Sequence, residues 1–140
     1  MRGWPRIRVT GRAYLALAFY LLVLPLQWIG AVLTAAMIHE LGHLIAIWMC
    51  GGRVFGMEID AFGARIETSP MEPKEELLCA MAGPLAGALV CLFWRWLPRT
   101  AFCAAVQMAF NLIPVFPLDG GRAWRAGRNI CCKDGGFGVQ

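Results

Sequence analysis

The chain has 140 residues, of which 59% are hydrophobic and only 16% charged, and its formal net charge is +4. An average soluble domain is about 45–50% apolar and about 25% charged, so this composition excludes an average water-soluble domain and points to lipid as the solvent. The length predicts a single domain. The arginines lie beside apolar segments, where they are typical of membrane-topology anchors, and we expect no nucleic-acid partner.

The first apolar block, residues 13–50, is close to twice as long as one bilayer crossing, which takes about 20 residues. Pro25 interrupts this block, and Gln27 and Gly30 follow it. We therefore predict two spans that turn near residues 25–30, with one longer span kinked at Pro25 as the alternative. The block is much longer than the apolar core of a signal peptide and no small-residue cleavage site ends it, so we expect the N-terminus to be retained.

A different pattern follows Gly51 and Gly52. Residues 57–61 alternate between apolar and acidic side chains, which predicts a half-exposed strand, and residues 64–67 form the expected return strand of a hairpin. An irregular surface loop is the alternative. Pro73, followed by two glutamates, then indicates the start of a helix. Gly83-Pro84 predicts a kink in that helix, and its small residues would let a neighbouring helix approach closely.

The last apolar segment, residues 100–118, contains Pro114 and Pro117 near its end. Broken backbone at membrane depth is tolerated only where it packs on protein or lines a wet cavity. The predicted fold is therefore an all-α polytopic membrane protein with about four transmembrane helices and a small β-hairpin between the second and third spans. Residues 1–126 form the predicted membrane core, and residues 127–140 a short C-terminal tail that could be disordered.

The motif HELGH occupies residues 39–43 inside the apolar block, and Glu40 is the only charged residue between Ala13 and Gly52. In a helix, His39 and His43 lie on one face with Cβ atoms about 5–6 Å apart, so both imidazoles can bind one zinc ion. Glu40 lies beside them, where it can take a proton from a water that the metal activates. An ionisable group at membrane depth costs at least about 2.5–3.5 kcal/mol, which favours a functional site over a chance match.

A catalytic zinc site usually has three protein ligands, and the chain has no third histidine. Asp119 is the leading candidate because it ends a proline-broken apolar segment and precedes two glycines; a solvated turn is its alternative interpretation. Glu67 is the next candidate. The other candidates are Glu58, Asp60 and the six cysteines, whose scattered spacing is more typical of buried free thiols.

The two stretches HELGH (residues 39–43) and NLIPVFPLDGGR (residues 111–122) resemble the site-2 protease family of intramembrane zinc metalloproteases. The branch with the strongest resemblance contains the sporulation stage IV protease that processes a pro-sigma factor. The resemblance implies that His39, His43 and Asp119 bind one Zn²⁺ and that Glu40 activates water. It also implies that Asn111 binds substrate near the metal and that the hairpin around residues 57–66 pairs with an unwound substrate strand.

The function implied is regulated intramembrane proteolysis of a transmembrane or membrane-associated protein. A catalytically silent or truncated relative that acts as a membrane scaffold is the alternative, because this sequence lacks the further spans that follow the aspartate motif in relatives. A metal carrier and a soluble zinc protease are weaker alternatives. We expect a multi-pass protein of the cell membrane with both termini and the hairpin in the cytoplasm, together with a regulatory membrane partner or self-association.

Overall fold

The computed structural model describes residues 6–61 and 63–134. In chain order the elements are β1 (Arg6–Val9), α1 (Gly11–Val23), α2 (Leu26–Met49), β2 (Val54–Asp60), β3 (Gly63–Thr68), α3 (Pro73–Cys91), α4 (Pro98–Asn111) and α5 (Asp119–Asp134). The described part is therefore mostly helical with one small sheet, as the sequence predicts. The sheet has one strand more than the predicted hairpin.

The first apolar block forms two helices rather than one kinked helix. The extended backbone of Leu24 and Pro25 separates α1 from α2. Within the described residues, α2 is the helix long and apolar enough to cross a membrane, whereas α1 is apolar but has only 13 residues. At 1.5 Å per residue α1 is about 20 Å long, less than the hydrocarbon thickness of about 30 Å. The structure thus contains one candidate span by length and composition, and four spans remain a prediction.

The predicted hairpin is present as β2 and β3, which pair in antiparallel register from Asp60 opposite Gly63 to Met57 opposite Ile66. The additional strand is β1, which pairs in parallel with β2, so the order across the sheet is β1-β2-β3. Since β1 covers one edge of β2, the sheet keeps β3 as an edge strand next to the helices.

α2 is the central helix and packs against both α3 and α4. Ala35 of α2, Val90 of α3 and Ala104 of α4 form one buried cluster, and Ala46, Ile47 and Cys79 form a second. The crossing of α2 and α3 is close because of small side chains: a Cβ added at Gly42 would lie 2.6 Å from the Ala82 carbonyl oxygen. The small residues of α3 therefore permit the close helix approach that the sequence predicts.

α5 extends into the segment predicted to be a tail. It runs from Asp119 to Asp134, so residues 127–134 of the predicted tail are helical, and residues 135–140 of that tail lie outside the described residues. α5 packs against α3, where Ala126 is completely buried and Arg125 approaches Glu76 at 3.5 Å. Packing of this polar helix on α3 explains why it is ordered although its own sequence is not apolar. The boundary at residue 126 between core and tail stays a prediction.

Candidate active site

Two histidines of α2 and the first residue of α5 meet in the interior. His39 Nε2 lies 3.0 Å from Asp119 Oδ2, His43 Nε2 lies 3.1 Å from the same oxygen, and the two histidine nitrogens are 3.2 Å apart. All three residues are buried. Ligand atoms of a tetrahedral zinc ion, each about 2.0–2.2 Å from the metal, are separated by about 3.3–3.6 Å. The triangle of atoms is therefore only slightly smaller than a zinc site requires.

The hydrogen bonds around this cluster favour a cation at its centre. His43 Nδ1 lies 2.7 Å from the Cys79 carbonyl oxygen, which can only accept, so Nδ1 carries the proton. In the neutral imidazole Nε2 is then an acceptor, and it faces the Asp119 carboxylate, which is also an acceptor. A metal ion satisfies these converging lone pairs together, and the bond from Nδ1 to a carbonyl is the usual support of a metal-bound histidine. The donor set fits a divalent metal.

The backbone around Asp119 explains how a residue 80 positions from His39 reaches the site. A Cβ at Gly120 would lie 2.6 Å from the Ile113 carbonyl oxygen, and a Cβ at Gly121 would lie 2.6 Å from the carbonyl carbon of Val115. The two glycines therefore allow the proline-containing loop to pack directly on the first turn of α5. The guanidinium of Arg122 lies 3.8 Å from Asp119 Oδ1, the oxygen that does not face the histidines.

Glu40 lies between the cluster and the sheet. Its Oε1 accepts a 3.4 Å hydrogen bond from the Ala64 backbone N–H. Its Oε2 is buried and has no hydrogen-bond partner among residues 6–61 and 63–134. A buried carboxylate oxygen without a protein partner needs another polar group, and a water is the smallest one that fits a polar cavity. Glu40 is thus placed to bind a water beside the three candidate ligands.

A cavity of about 120 Å³ opens on these residues. The strand β3 contributes residues 63–66 to its wall, and α4 contributes Gln107 and Asn111. Asn111 Nδ2 lies 3.3 Å from His39 Nε2, so the asparagine of the second motif is next to the candidate metal ligands. Glu58 and Asp60 also line the cavity but lie outside the cluster of candidate ligands, and Glu67 does not line it.

Gln107 and Gly83 belong to the site although no sequence motif points to them, and Cys79, a candidate thiolate ligand on sequence grounds, belongs to it in another role. A Cβ at Gly83 would overlap His43 Nε2 and would lie 2.8 Å from His39 Nε2, so only glycine leaves space for both rings. Cys79 contributes its carbonyl rather than its thiol. The sequence signal for Gln107 is a side-chain amide within the apolar residues 101–110, which is a weak signal without the fold.

The end of β2 is tied to the start of α1 through Asp60. Thr10 Oγ1 donates a 2.8 Å hydrogen bond to Asp60 Oδ1, and Arg12 Nη2 lies 2.9 Å from Oδ2. The Thr10 hydrogen bond, followed by the Ala61 backbone N–H and the Arg12 charge, lowers the pKa of the Asp60 carboxyl below its usual value. Asp60, a possible third ligand on sequence grounds, thus has both carboxylate oxygens engaged by Thr10 and Arg12.

The sequence matches the family model described as Peptidase M50B-like over residues 12–124, which covers both motifs and most of the chain. The chain belongs to this family. Among curated proteins, no sequence gives a significant match.

Among solved structures, the fold is similar to that of the Site-2 Protease from Methanocaldococcus jannaschii, with a TM-score of 0.72. The sequences are 22% identical, and the match covers 94% of this chain and 69% of that one. The family and the fold thus agree with the resemblance seen in the two motifs. Neither match distinguishes the sporulation branch, which stays a prediction.

Proposed function

We propose that this chain is an intramembrane zinc metalloendopeptidase that cleaves a transmembrane or membrane-associated protein. The observation that carries the proposal is the convergence of His39, His43 and Asp119 within 3.2 Å of one another, beside Glu40. Three of these four residues lie on α2, the helix long and apolar enough to cross a bilayer. Membership of a peptidase family supports the same reaction.

The three proposed ligands hold the metal, and Zn²⁺ when bound would act as a Lewis acid on water and on the scissile carbonyl. Glu40 is the proposed general base: its carboxylate accepts a proton from the attacking water and then delivers it to the leaving amine. The Cys79 carbonyl keeps the proton of His43 on Nδ1, so that Nε2 is free to bind. Asn111, 3.3 Å from His39, is the proposed substrate-binding residue nearest the ligands.

The sheet supplies the proposed substrate-pairing edge. Because the Ala64 N–H donates to Glu40, it points away from β2, and alternation along the strand directs the backbone groups of Ile66 the same way. A helical substrate hides its peptide groups, and once unwound it can pair with this edge as an added strand. The first pair of such a ladder would place a substrate peptide group beside Glu40.

Metal analysis and a cleavage assay on the purified protein and its Glu40→Gln and Asp119→Ala variants test this function. The probe is a panel of synthetic peptides with one apolar membrane-spanning segment each, in which an Asn-Gly pair is placed at successive positions. Mass spectrometry identifies the cleavage products. We expect one zinc per chain in the parent and in Glu40→Gln, with cleavage reduced by about 10²–10⁴-fold or more in the latter. Asp119→Ala should lose most of the metal because one of three ligand atoms is gone.

Cleavage by Glu40→Gln at the parent rate would rule out the proposed mechanism, and full metal content in Asp119→Ala would rule out that residue as a ligand. A metal-loaded parent that cleaves no probe would favour the scaffold alternative. The motif resemblance to the sporulation branch makes a membrane-associated pro-sigma factor the first natural substrate to test.

A further inference from the structure

Gln107 is a polar residue in the apolar interior of α4 that the proposed reaction does not yet use. Between residues 101 and 110 it is the only residue whose side chain carries an amide, hydroxyl or charge. It lines the same cavity as Asn111, and it makes no side-chain hydrogen bond within the described part of the chain. The side chain of Gln107 is half-buried. A buried polar group is normally paired, so a ligand that fills the cavity and excludes water has to supply a partner for this amide.

The spacing of Gln107 and Asn111 matches an extended peptide. The two residues are four positions apart on one helix, so they lie on the same face and are about 6 Å apart along its axis. In an extended strand, residues i and i+2 direct their backbone N–H and C=O groups to the same edge and are about 6.4–6.8 Å apart. Two amides at this spacing can each hydrogen-bond one of two alternate residues of a bound strand.

α4 runs from the level of Ala35 at Ala104 to the candidate ligands at Asn111, which lies 3.3 Å from His39 Nε2. Ile66 of β3 packs on the cluster of Ala46 and Ile47, towards the C-terminal end of α2. Ala104, three residues before Gln107, packs instead on Ala35, in the other half of α2. The candidate ligands His39 and His43 lie between these two levels. The open edge of β3 can therefore contact a substrate on one side of the metal cluster, and Gln107, one turn of α4 beyond Asn111, can contact it on the other.

We propose that Gln107 is a substrate-positioning residue whose amide, together with that of Asn111, holds alternate backbone groups of an extended substrate segment. β3 holds the segment on one side of the scissile bond, Asn111 holds it beside the candidate ligands, and Gln107 holds it on the other side. This inference rests on the proposed peptidase function. It explains how the substrate stays unwound beyond the end of the sheet, where residues 6–61 and 63–134 provide no further strand to pair with its backbone.

The test measures binding of a fluorescent single-span peptide with a central Asn-Gly pair to zinc-loaded Glu40→Gln protein in detergent micelles. Adding Gln107→Leu, which keeps the side-chain volume but removes the amide, should weaken binding about tenfold, the size expected for one hydrogen bond. A series of peptides with single amide-to-ester replacements then locates the contact. The ester at the position that contacts Gln107 should weaken binding about tenfold when Gln107 is present. It should cause no further loss of affinity in the Gln107→Leu protein.

Val106→Leu is the matched control, since Val106 is the neighbouring residue of α4 and is 54% exposed on the outer surface. It should bind every peptide as the parent does. Zinc content and the melting temperature should be the same in both variants, which separates a binding defect from a folding defect. Equal peptide affinity with and without Gln107 would overturn the inference. So would a series in which every ester replacement weakens binding to Gln107→Leu as much as it weakens binding to the parent. Cleavage that depends on Glu40 would leave the proposed function standing in either case.

Discussion

Gly83 shows how tightly the candidate ligands are enclosed. Its Cα faces both imidazole rings, and a Cβ there would overlap His43 Nε2 and approach His39 Nε2 to 2.8 Å. The adjacent part of α3 also supplies the Cys79 carbonyl that orients His43. α3 thus positions the histidines of α2 in two ways: a missing side chain leaves room for the rings, and a backbone carbonyl selects the tautomer.

Gly83→Ala should therefore damage the site although alanine is the better helix former by about 1 kcal/mol. We expect the added methyl group to displace one imidazole, so that zinc content falls well below one per chain and cleavage is lost. Gly30→Ala on α2 is the matched control, because a Cβ there meets nothing within 4 Å. Elemental analysis of both purified variants decides the point, and full zinc content in Gly83→Ala would show that the rings can move aside.

At the scale of elements, the position of the hairpin depends on a strand distant in sequence. β1 pairs with β2 across about fifty residues, and the Thr10 N–H donates to the Ile59 carbonyl where β1 ends. The Asp60 carboxylate binds Thr10 and Arg12 at the same point. These contacts are all made at the edge of β2 that faces β1. They fix the position of the sheet without using β3, whose outer edge lies beside Glu40 and pairs with no other strand of the described residues.

Asp60→Asn should loosen this junction in a pH-dependent manner. Because the folded-state pKa of Asp60 is lowered, the ionised carboxylate stabilises the fold above its unfolded pKa of about 4, and this contribution is lost as the pH falls through the folded value. At neutral pH the variant should show lower hydrogen-exchange protection of β1 and β2, with the difference vanishing in acid. Glu67→Gln, which removes a carboxylate without an ion pair among the described residues, is the control. Protection unchanged by Asp60→Asn at neutral pH would contradict a role for this junction.

At the scale of the whole molecule, α2 defines the depth of the site. Its 24 residues span about 36 Å, enough for a hydrocarbon core of about 30 Å. The two histidines lie six and ten residues before Met49, or about 9–15 Å from the end that leads into the hairpin. Exposed aromatic residues and two arginines, which are typical of a membrane interface, lie in the connection between α3 and α4 and in the first turn of α4: Phe93, Trp94, Arg95, Trp96 and Arg99.

Cysteine labelling should reveal opposite sidedness of these two ends. In a background without the six native cysteines, Lys74→Cys at the start of α3 should react with an impermeant maleimide only from the cytoplasm. Trp96→Cys, beyond the end of the same helix, should react from the other side. Both positions are exposed. If both cysteines react from the same side, α3 does not cross the membrane. If Lys74→Cys reacts only from outside and Trp96→Cys only from the cytoplasm, the predicted orientation is wrong.

The long-range parts of the fold were the least predictable. The alternation in residues 57–67 indicates the hairpin because period-two burial is a local property. β1 was not predicted, since Arg6–Val9 is short and acquires its partner only through parallel pairing with a distant strand. The helical state of residues 127–134 was also missed, because this polar segment is stabilised by packing on α3 rather than by its own composition.

The sequence by itself determined the candidate catalytic motif: a helix with two histidines four residues apart and a glutamate between them, because helical spacing is a local property of the chain. It also singled out Asp119 as the leading third ligand, from the prolines before it and the glycines after it. Only the tertiary structure decided that Asp119 meets the histidines while Glu67 and Asp60 do not, and that Gln107 and Gly83 face the same centre. These are contacts between residues far apart in sequence, and they depend on how closely α2, α3, α4 and α5 pack.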